Sequence, residues 1–177
     1  MNTKHLALFL VLLFAVMACE NNTPQENVQK TYVDNLISQS QDLGSESAAQ
    51  NLLGTWKQDS MFTYDDDWQT IEETMMLEGD TYYMGLALSE LSFTADGKCQ
   101  ESIKSIALGL EGTDDEYSVE FDWSYDADTH TLTLINKQGY ERGYKVSGID
   151  SKYLILDYYD IVNSHNTRQI YKRKTEE

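Results

Sequence analysis

The segment Tyr117–Asp126 alternates strictly between two kinds of side chain, and this pattern constrains the fold more than any other feature of the chain. Every second position is aromatic or branched, namely Tyr117, Val119, Phe121, Trp123 and Tyr125, and every position between is polar or acidic. Successive side chains of a strand point to opposite faces of a sheet. The segment therefore predicts a half-buried strand whose inner face is largely aromatic.

Turn signals recur at regular spacing from residue 52 onward. They lie at Thr94–Gly97, Asp126–Thr129, Asn136–Gly139 and Gly148–Ser151, and a final strand is expected at about Thr167–Arg173. Short strands joined by turns about every 8–12 residues are typical of an antiparallel barrel or sandwich. The single proline, Pro24, precedes this region, so no strand there loses a backbone donor to proline.

A helix is expected before the strands. Thr23, Pro24 and Glu26 provide an N-cap, a proline at the first helical position and a glutamate two residues after it. Apolar residues then recur at helical spacing, for example at Tyr32 and Leu36. The pattern predicts a helix that runs to about Asp42 and is ended by the glycine and small polar residues that follow.

The first 18 residues have the pattern of a secretory signal. Lys4 precedes an unbroken apolar run, Leu6–Ala18, and a polar segment begins after Cys19. The run is shorter than the roughly 20 apolar residues that span a bilayer. Residues 1–18 are therefore expected to be removed from the mature chain.

The residues Val16-Met17-Ala18-Cys19 resemble the lipobox of a bacterial lipoprotein signal. The resemblance implies cleavage before Cys19, acylation of Cys19 and attachment to a membrane through its lipid. Together with the helix and strand patterns above, it predicts three regions: a signal peptide at 1–18, a lipidated tether with a short helix at 19–50, and a β-barrel domain at 51–174.

The residues after Cys19 also predict to which membrane a lipidated form of the chain would be sorted. Glu20, not aspartate, follows the cysteine, and no dense acidic run follows it. The lack of an aspartate directly after Cys19 disfavours retention in an inner membrane. The lack of a dense acidic run differs from a tag for export to the cell surface. The expected location is the outer membrane facing the periplasm, with the cell surface as the alternative.

The chain is strongly acidic, with 13 basic and 30 acidic residues and a net charge of −17. Loss of Lys4 leaves 12 basic against 30 acidic residues, a charge of −18. Such a surface disfavours nucleic acid, because its binders neutralise phosphates with Lys and Arg. The charge fits solubility, and it leaves open calcium binding or a basic protein partner.

Four short motifs carry a resemblance to a fold family. They are Gly54-Thr55-Trp56, Phe93-Thr94-Ala95-Asp96-Gly97, Tyr144-Lys145-Val146 and Tyr153-Leu154-Ile155-Leu156. The chain resembles lipocalins, and more closely the lipocalin-like lipoproteins of Bacteroidetes-type bacteria. The resemblance implies an all-β, antiparallel up-and-down barrel of about eight strands. It also implies that Trp56 closes one barrel end beneath either Arg168 or Arg173, with Gly54 permitting close backbone approach. The Thr-Asp-Tyr motif of lipocalins has no strong match.

Motifs for catalysis or metal binding are missing from the sequence. The mature chain keeps two histidines, His130 and His165, each expected in a surface loop or turn. Neither a zinc-ligand spacing nor a nucleophile elbow nor a phosphate loop is present, so no enzyme activity and no cofactor are expected. Asp65, Asp66 and Asp67 form an expected loop tip that lacks calcium-loop spacing, which makes them weak cation candidates. Cys99 is expected to be a buried or half-buried free thiol.

The aromatic residues provide the functional hypothesis. A small barrel either fills its interior with side chains or holds one small ligand. In the second case a cup lined by Tyr117, Phe121, Trp123, Tyr125 and Tyr144 would bind a small hydrophobic, aromatic-stacking or glycan ligand without catalysis. The alternative is a protein-interaction or inhibitor module that acts through the acidic loops. The apolar stretch Tyr82–Leu88 is expected to be a buried strand or a flap over one barrel end.

Overall fold

The structure is a computed structural model that describes residues 24–39, 43–44, 46–68, 71–76, 87–105 and 115–175. The chain divides into two compact units, Met1–Val33 and Asp34–Glu177. The strands of the described residues belong to the second unit. The helices are α1, Pro24–Ser38, and α2, Glu46–Leu52. The strands are β1 Gly54–Tyr64, β2 Ile71–Met76, β3 Ala87–Phe93, β4 Lys98–Ser105, β5 Asp115–Asp126, β6 Thr131–Asn136, β7 Glu141–Ile149, β8 Tyr153–Asp160 and β9 His165–Arg173.

The strands form one closed antiparallel sheet. Each strand from β3 to β9 pairs with the next strand along the chain, and β9 returns to pair with β1. Within β1, Trp56 pairs with Leu91 and Arg173, whereas Ser60 pairs with Met76 and Ile170. One edge of β1 therefore faces β9, and β2 and β3 share the other edge, which gives a barrel eight strands around. The predicted all-β, up-and-down barrel is confirmed.

The half of the barrel that contains Trp56, which we call the lower half, is packed with apolar side chains. The cluster is formed by buried residues of eight strands and of α2, which are Ala48, Leu52, Trp56, Leu91, Phe93, Cys99, Phe121, Leu132, Leu134, Tyr144, Val146, Ile149, Leu154, Leu156 and Tyr171. Each of these side chains adds roughly 25 cal/mol of stability per Å² of apolar surface removed from water. The core lies toward the end of the barrel that holds Trp56, which we call the closed end.

Helix α2 belongs to this closed end and was not predicted. Ala48 and Leu52 of α2 are each 1% exposed and join the core, and the indole Nε1 of Trp56 donates to the carbonyl of Leu52 at 2.8 Å. The sequence signal was the run of good helix formers after Ser45, which begins with Glu46 and contains two alanines. Residues that precede the first strand therefore contribute to the core.

The alternation of β5 is confirmed from Val119 onward. Phe121 is buried and Trp123 and Tyr125 are half-buried, whereas the residues between them are exposed. Tyr117 departs from the prediction because it is 53% exposed. It pairs with Ile103 near the end of the β4–β5 ladder, beyond the packed lower core.

Three further boundaries differ from the sequence expectation. The structure describes α1 as ending at Ser38, and residues 40–42 lie outside the described residues. His165 was expected in a loop, but it begins β9 and pairs with Asp160. The stretch Tyr82–Leu88 falls outside the described residues except for Ala87 and Leu88, which begin β3.

Neither helix of the described part of the chain is long and apolar enough to cross a membrane.

Candidate functional site: a recess between two strands

The wall of the barrel opens where β7 and β8 diverge. Their ladder runs from Ile149 and Leu154 only as far as the pair Lys145 and Asp157. Beyond this pair, residues 141–144 still pair with β6 and residues 158–160 still pair with β9. Each strand is therefore held by its outer neighbour, while the two strands no longer pair with each other.

The divergence leaves a cavity of about 420 Å³, which we call the β7–β8 recess. Its rim contains exposed apolar and aromatic residues, with Tyr140 61%, Tyr159 53%, Ile161 83% and Val162 90% exposed. Its inner wall is formed by side chains of four strands, namely Glu101, Arg142, Tyr144, Tyr158 and Gln169. Glu141 and Asp160 also line the recess, so its outer part combines apolar and aromatic side chains with two carboxylates.

An ion pair lies at the inner wall. The two terminal nitrogens of Arg142 donate to the two carboxylate oxygens of Glu101, at 3.3 Å from Nη1 and 2.5 Å from Nη2. The carboxylate also accepts a bond from the Ser89 hydroxyl at 3.1 Å. The Glu101 side chain is 7% exposed and that of Arg142 24%, so the pair is largely removed from water. Bidentate geometry and the extra donor offset the cost of burying both charges.

This ion pair rests directly on the apolar core. The Arg142 guanidinium lies 4.5 Å from the centroid of the Phe121 ring, a favourable cation–π distance. Its Nε is buried and has no hydrogen-bond partner among the described residues. Leu91 pairs with Glu101 and Leu134 pairs with Arg142, so the register places both charges on the inner face. A polar layer therefore separates the packed lower core from the recess.

Two tyrosines form an aromatic wall beside this layer. The rings of Tyr144 and Tyr158 meet edge to face, with centroids 5.6 Å apart. Burial raises the pKa of both hydroxyls above the usual value of 10.0, and Tyr144 is only 8% exposed. Both groups are therefore neutral hydrogen-bonding groups near neutral pH.

The structure separates the five aromatic residues that the sequence grouped as a ligand cup. Only Tyr144 lines the recess. Phe121 lies beneath Arg142, and Trp123 packs on Phe93 while its Nε1 donates to the Thr94 carbonyl at 3.0 Å. Tyr125 donates to the Leu43 carbonyl at 2.7 Å at the closed end. Together with the exposed Tyr117, these residues do not surround one common space.

The structure distinguishes the two arginines that the sequence left as alternatives at the closed end. The guanidinium of Arg173 lies 4.1 Å from the centroid of the Trp56 ring. Arg168 lies on the outer face of β9, 5.3 Å from the Tyr64 ring and 5.2 Å from the Trp68 ring. Arg168 also donates to Asp157 through two nitrogens, at 2.7 and 2.6 Å.

The acidic loop is held through its backbone. The carbonyl oxygens of Asp65 and Asp66 accept bonds from the Asn166 side chain at 2.8 and 3.0 Å, while Asp66 and Asp67 are exposed. Within the described ranges, no group of three or more potential ligand residues is arranged to hold a metal ion. Cys99 is a free, buried thiol, and Cys19 lies outside the described residues.

Sequence reasoning missed Glu101 and Arg142 as site residues. A signal for Glu101 was present, because it shares the period-two face of β4 with Cys99 and Ile103. A carboxylate on an inner face needs a buried partner. The partner was not predictable, because Arg142 is separated from Glu101 by 41 residues and two intervening strands.

Comparisons with known proteins give only distant similarities. No family model matches the chain, and no curated protein matches it. Among solved structures, lobster apocrustacyanin A1 is 11% identical, with 81% of this chain and 69% of that chain covered and a TM-score of 0.41. Apocrustacyanin C2 gives the same identity and coverage with a TM-score of 0.40. The siderocalin Ex-FABP is 10% identical over 70% of this chain and 71% of its own, with a TM-score of 0.34.

The class of the molecule follows from its strand pairing and from the geometry of the recess. It is an up-and-down β-barrel with a packed lower half, one end closed by Trp56 and Arg173, and a side recess above a buried ion pair. Such a concave site, with aromatic walls and a few convergent polar groups, is typical of a small-molecule binding site.

Proposed function

We propose that this protein is a non-enzymatic binding module that holds one small, largely apolar or aromatic molecule in the β7–β8 recess. The observation that carries the proposal is the recess itself, about 420 Å³ in volume, between an aromatic rim and the Arg142–Glu101 pair. Ligand pockets of roughly 300–1,000 Å³ suit molecules of this kind. The lipocalin-like resemblance of the sequence agrees with this function.

The chemistry of the inner wall favours an uncharged ligand. The charge of Arg142 is neutralised by Glu101, and the chain as a whole carries a net charge of −17. An anionic ligand would find no uncompensated cation at the inner wall, and the buried carboxylate of Glu101 would repel it. An aromatic ring would instead pack on Tyr144 and Tyr158, and a polar atom on it would find the hydroxyl of Tyr144.

Fluorescence titration with the neutral dye N-phenyl-1-naphthylamine tests this proposal. We expect saturable binding that Tyr144→Leu or Tyr158→Leu weakens about tenfold, because each removes an aromatic contact of roughly 1–1.5 kcal/mol. The matched control is Tyr153→Leu, a half-buried tyrosine at the start of β8, near the closed end. Absence of saturable binding, or equal weakening in the control, would refute the proposal.

We also propose that the barrel is an exported lipoprotein, anchored through lipid on Cys19 to the outer membrane and facing the periplasm. The support is the sequence up to Cys19, which resembles a bacterial lipoprotein signal with its lipobox. Cys19→Ser should leave the melting temperature of the barrel unchanged and move the protein from the membrane to the soluble fraction. Tight membrane fractionation of that variant would contradict the anchor, whereas protease treatment of whole cells distinguishes the two faces of the membrane.

A further inference from the structure

A second concave surface lies on the outer face of the barrel, around Arg168. It is a groove of about 420 Å³ across β7, β8 and β9, which we call the outer groove. Arg168 and Asn166 alternate with the inward-facing Thr167 and Gln169 on β9, so their side chains point away from the interior. The outer groove is therefore separate from the inner wall of the β7–β8 recess, although Tyr158 and Tyr159 contribute to the lining of both.

Three aromatic residues line the outer groove, namely Trp68, Tyr158 and Tyr159. Tyr159 is 53% exposed, and the half-buried Trp68 also lines the groove. Trp68 has a φ of 58°, a left-handed conformation that aromatic residues rarely adopt. A backbone bond from Trp68 N to the Asp65 carbonyl at 3.1 Å, together with the two Asn166 bonds, holds the loop in this form. The surrounding structure thus fixes an indole at the groove at the cost of backbone strain.

The floor between the aromatic residues is a rigid polar network. Asp157 accepts two bonds from Arg168 and one from the hydroxyl of Ser147. Its side chain is 8% exposed and that of Arg168 12%, and the Trp68 ring packs against the guanidinium. Because the network is already bonded, its remaining donors and acceptors are preorganised for a ligand.

The charges around the outer groove favour an uncharged ligand. The floor is a neutralised pair, so the uncompensated cation there is the exposed Lys145. Asp66 and Asp67 are exposed on the loop that precedes Trp68. Exposed charges act over about 8 Å at physiological salt, so the carboxylates of this loop disfavour an anion that approaches Trp68.

We propose that the outer groove binds a neutral saccharide. The apolar C–H face of a sugar ring packs on an aromatic side chain, and its hydroxyls both donate and accept hydrogen bonds. Trp68 and Tyr159 supply the aromatic faces. Ser147, Asn166 and Lys145 supply polar groups beside the preorganised Arg168–Asp157 pair. This site is independent of the ligand proposed for the β7–β8 recess.

Calorimetric titration of the full chain with neutral trisaccharides tests the proposal. The probes are maltotriose, cellotriose, mannotriose and xylotriose, with trigalacturonate as the anionic counterpart. We expect at least one neutral probe to bind with a Kd of about 0.1–1 mM and trigalacturonate to bind more weakly. Trp68→Ala should weaken binding at least about tenfold, Trp68→Phe should restore part of the loss, and Tyr159→Ala should weaken it on a folded background because Tyr159 is exposed.

The matched control is Tyr140→Ala, since Tyr140 is 61% exposed and lines the recess but not the outer groove. We expect Tyr140→Ala to leave the affinity for the sugar unchanged and Trp68→Ala to leave the binding of N-phenyl-1-naphthylamine unchanged. Both results together would support two separate sites. The proposal is overturned if no neutral probe binds at about 10 mM, if trigalacturonate binds most tightly, or if Trp68→Phe and Tyr159→Ala leave the affinity unchanged.

Discussion

The guanidinium of Arg173 lies over the indole of Trp56 at 4.1 Å and ties three chain segments together. Nη1 and Nη2 donate to the carbonyls of Leu53 and Asn51 at 2.6 and 2.5 Å, and Nε donates to the carbonyl of Ser151 at 3.0 Å. One side chain therefore joins the end of α2, the turn between β7 and β8, and the last strand. The closed end depends on this planar, multiply donating group.

Arg173→Lys should destabilise the barrel by about 1–2 kcal/mol, because a single ammonium cannot serve three carbonyls in different directions. Chemical denaturation with urea provides the measurement. The control is Lys174→Gln, which removes a surface pair with Glu90 in which the lysine is 59% exposed. The control should change stability by less than about 0.5 kcal/mol. Equal stability of the Arg173 variant and the control would contradict the assigned role.

Gly54→Ala should destabilise the barrel by more than a glycine substitution made elsewhere at positive φ. Gly54 has a φ of 111°, and an added Cβ would lie 2.7 Å from Nη1 of Arg173. The control is Gly139→Ala, where φ is 80° and no atom lies within 4 Å of the added Cβ. The control carries backbone strain alone, about 1 kcal/mol, and Gly54→Ala adds the collision to it. Similar losses of stability in the two variants would show that Arg173 moves aside freely.

The buried ion pair should show strong coupling in a double-mutant cycle. Glu101→Leu alone or Arg142→Met alone leaves one buried charge uncompensated and should cost about 2–4 kcal/mol, whereas the double variant should recover part of the loss. The exposed pair of Lys98 and Asp122 is the control, and no measurable coupling is expected there because both charges are solvated. Additive losses at the two buried positions would mean that the pair is not formed in solution.

Stability should fall in alkaline solution. Burial raises the pKa of the Cys99 thiol from 9.0 to about 12, and burial also raises the pKa of Tyr144 and Tyr171 above 10.0. The folded state retains protons that the unfolded chain loses, so the full stability is present below pH 9 and falls as the pH rises toward 12. Each group contributes up to about 1.4 kcal/mol per pH unit in its window.

Urea midpoints measured in steps from about pH 8 to pH 11 test this dependence. Cys99→Ala should lower stability at neutral pH and flatten the decline that begins near pH 9. An unchanged slope in Cys99→Ala would place the thiol in water in the folded state.

Local patterns were sufficient for most of the barrel. The alternation in β5 and the turn residues before Lys98, Thr131 and Glu141 predicted strand boundaries because side-chain period and turn conformation are properties of neighbouring residues. Helix α2 escaped prediction because its seven residues are too few for a clear helical period, and packing of Ala48 and Leu52 into the core stabilises it. Gly54 and Trp56 were recognised from a motif, but the choice of Arg173 over Arg168 needed the register of β9.

The sequence by itself determined the class of fold, because binary patterning selects strands and regularly spaced turns connect them antiparallel. Only the tertiary structure decided the candidate sites. Closure of the barrel places Glu101 opposite Arg142, and the unequal pairing of β7 and β8 opens the recess beside them. These relationships depend on which distant strands face each other and where a ladder stops, and neither is encoded in the spacing of residues along one strand.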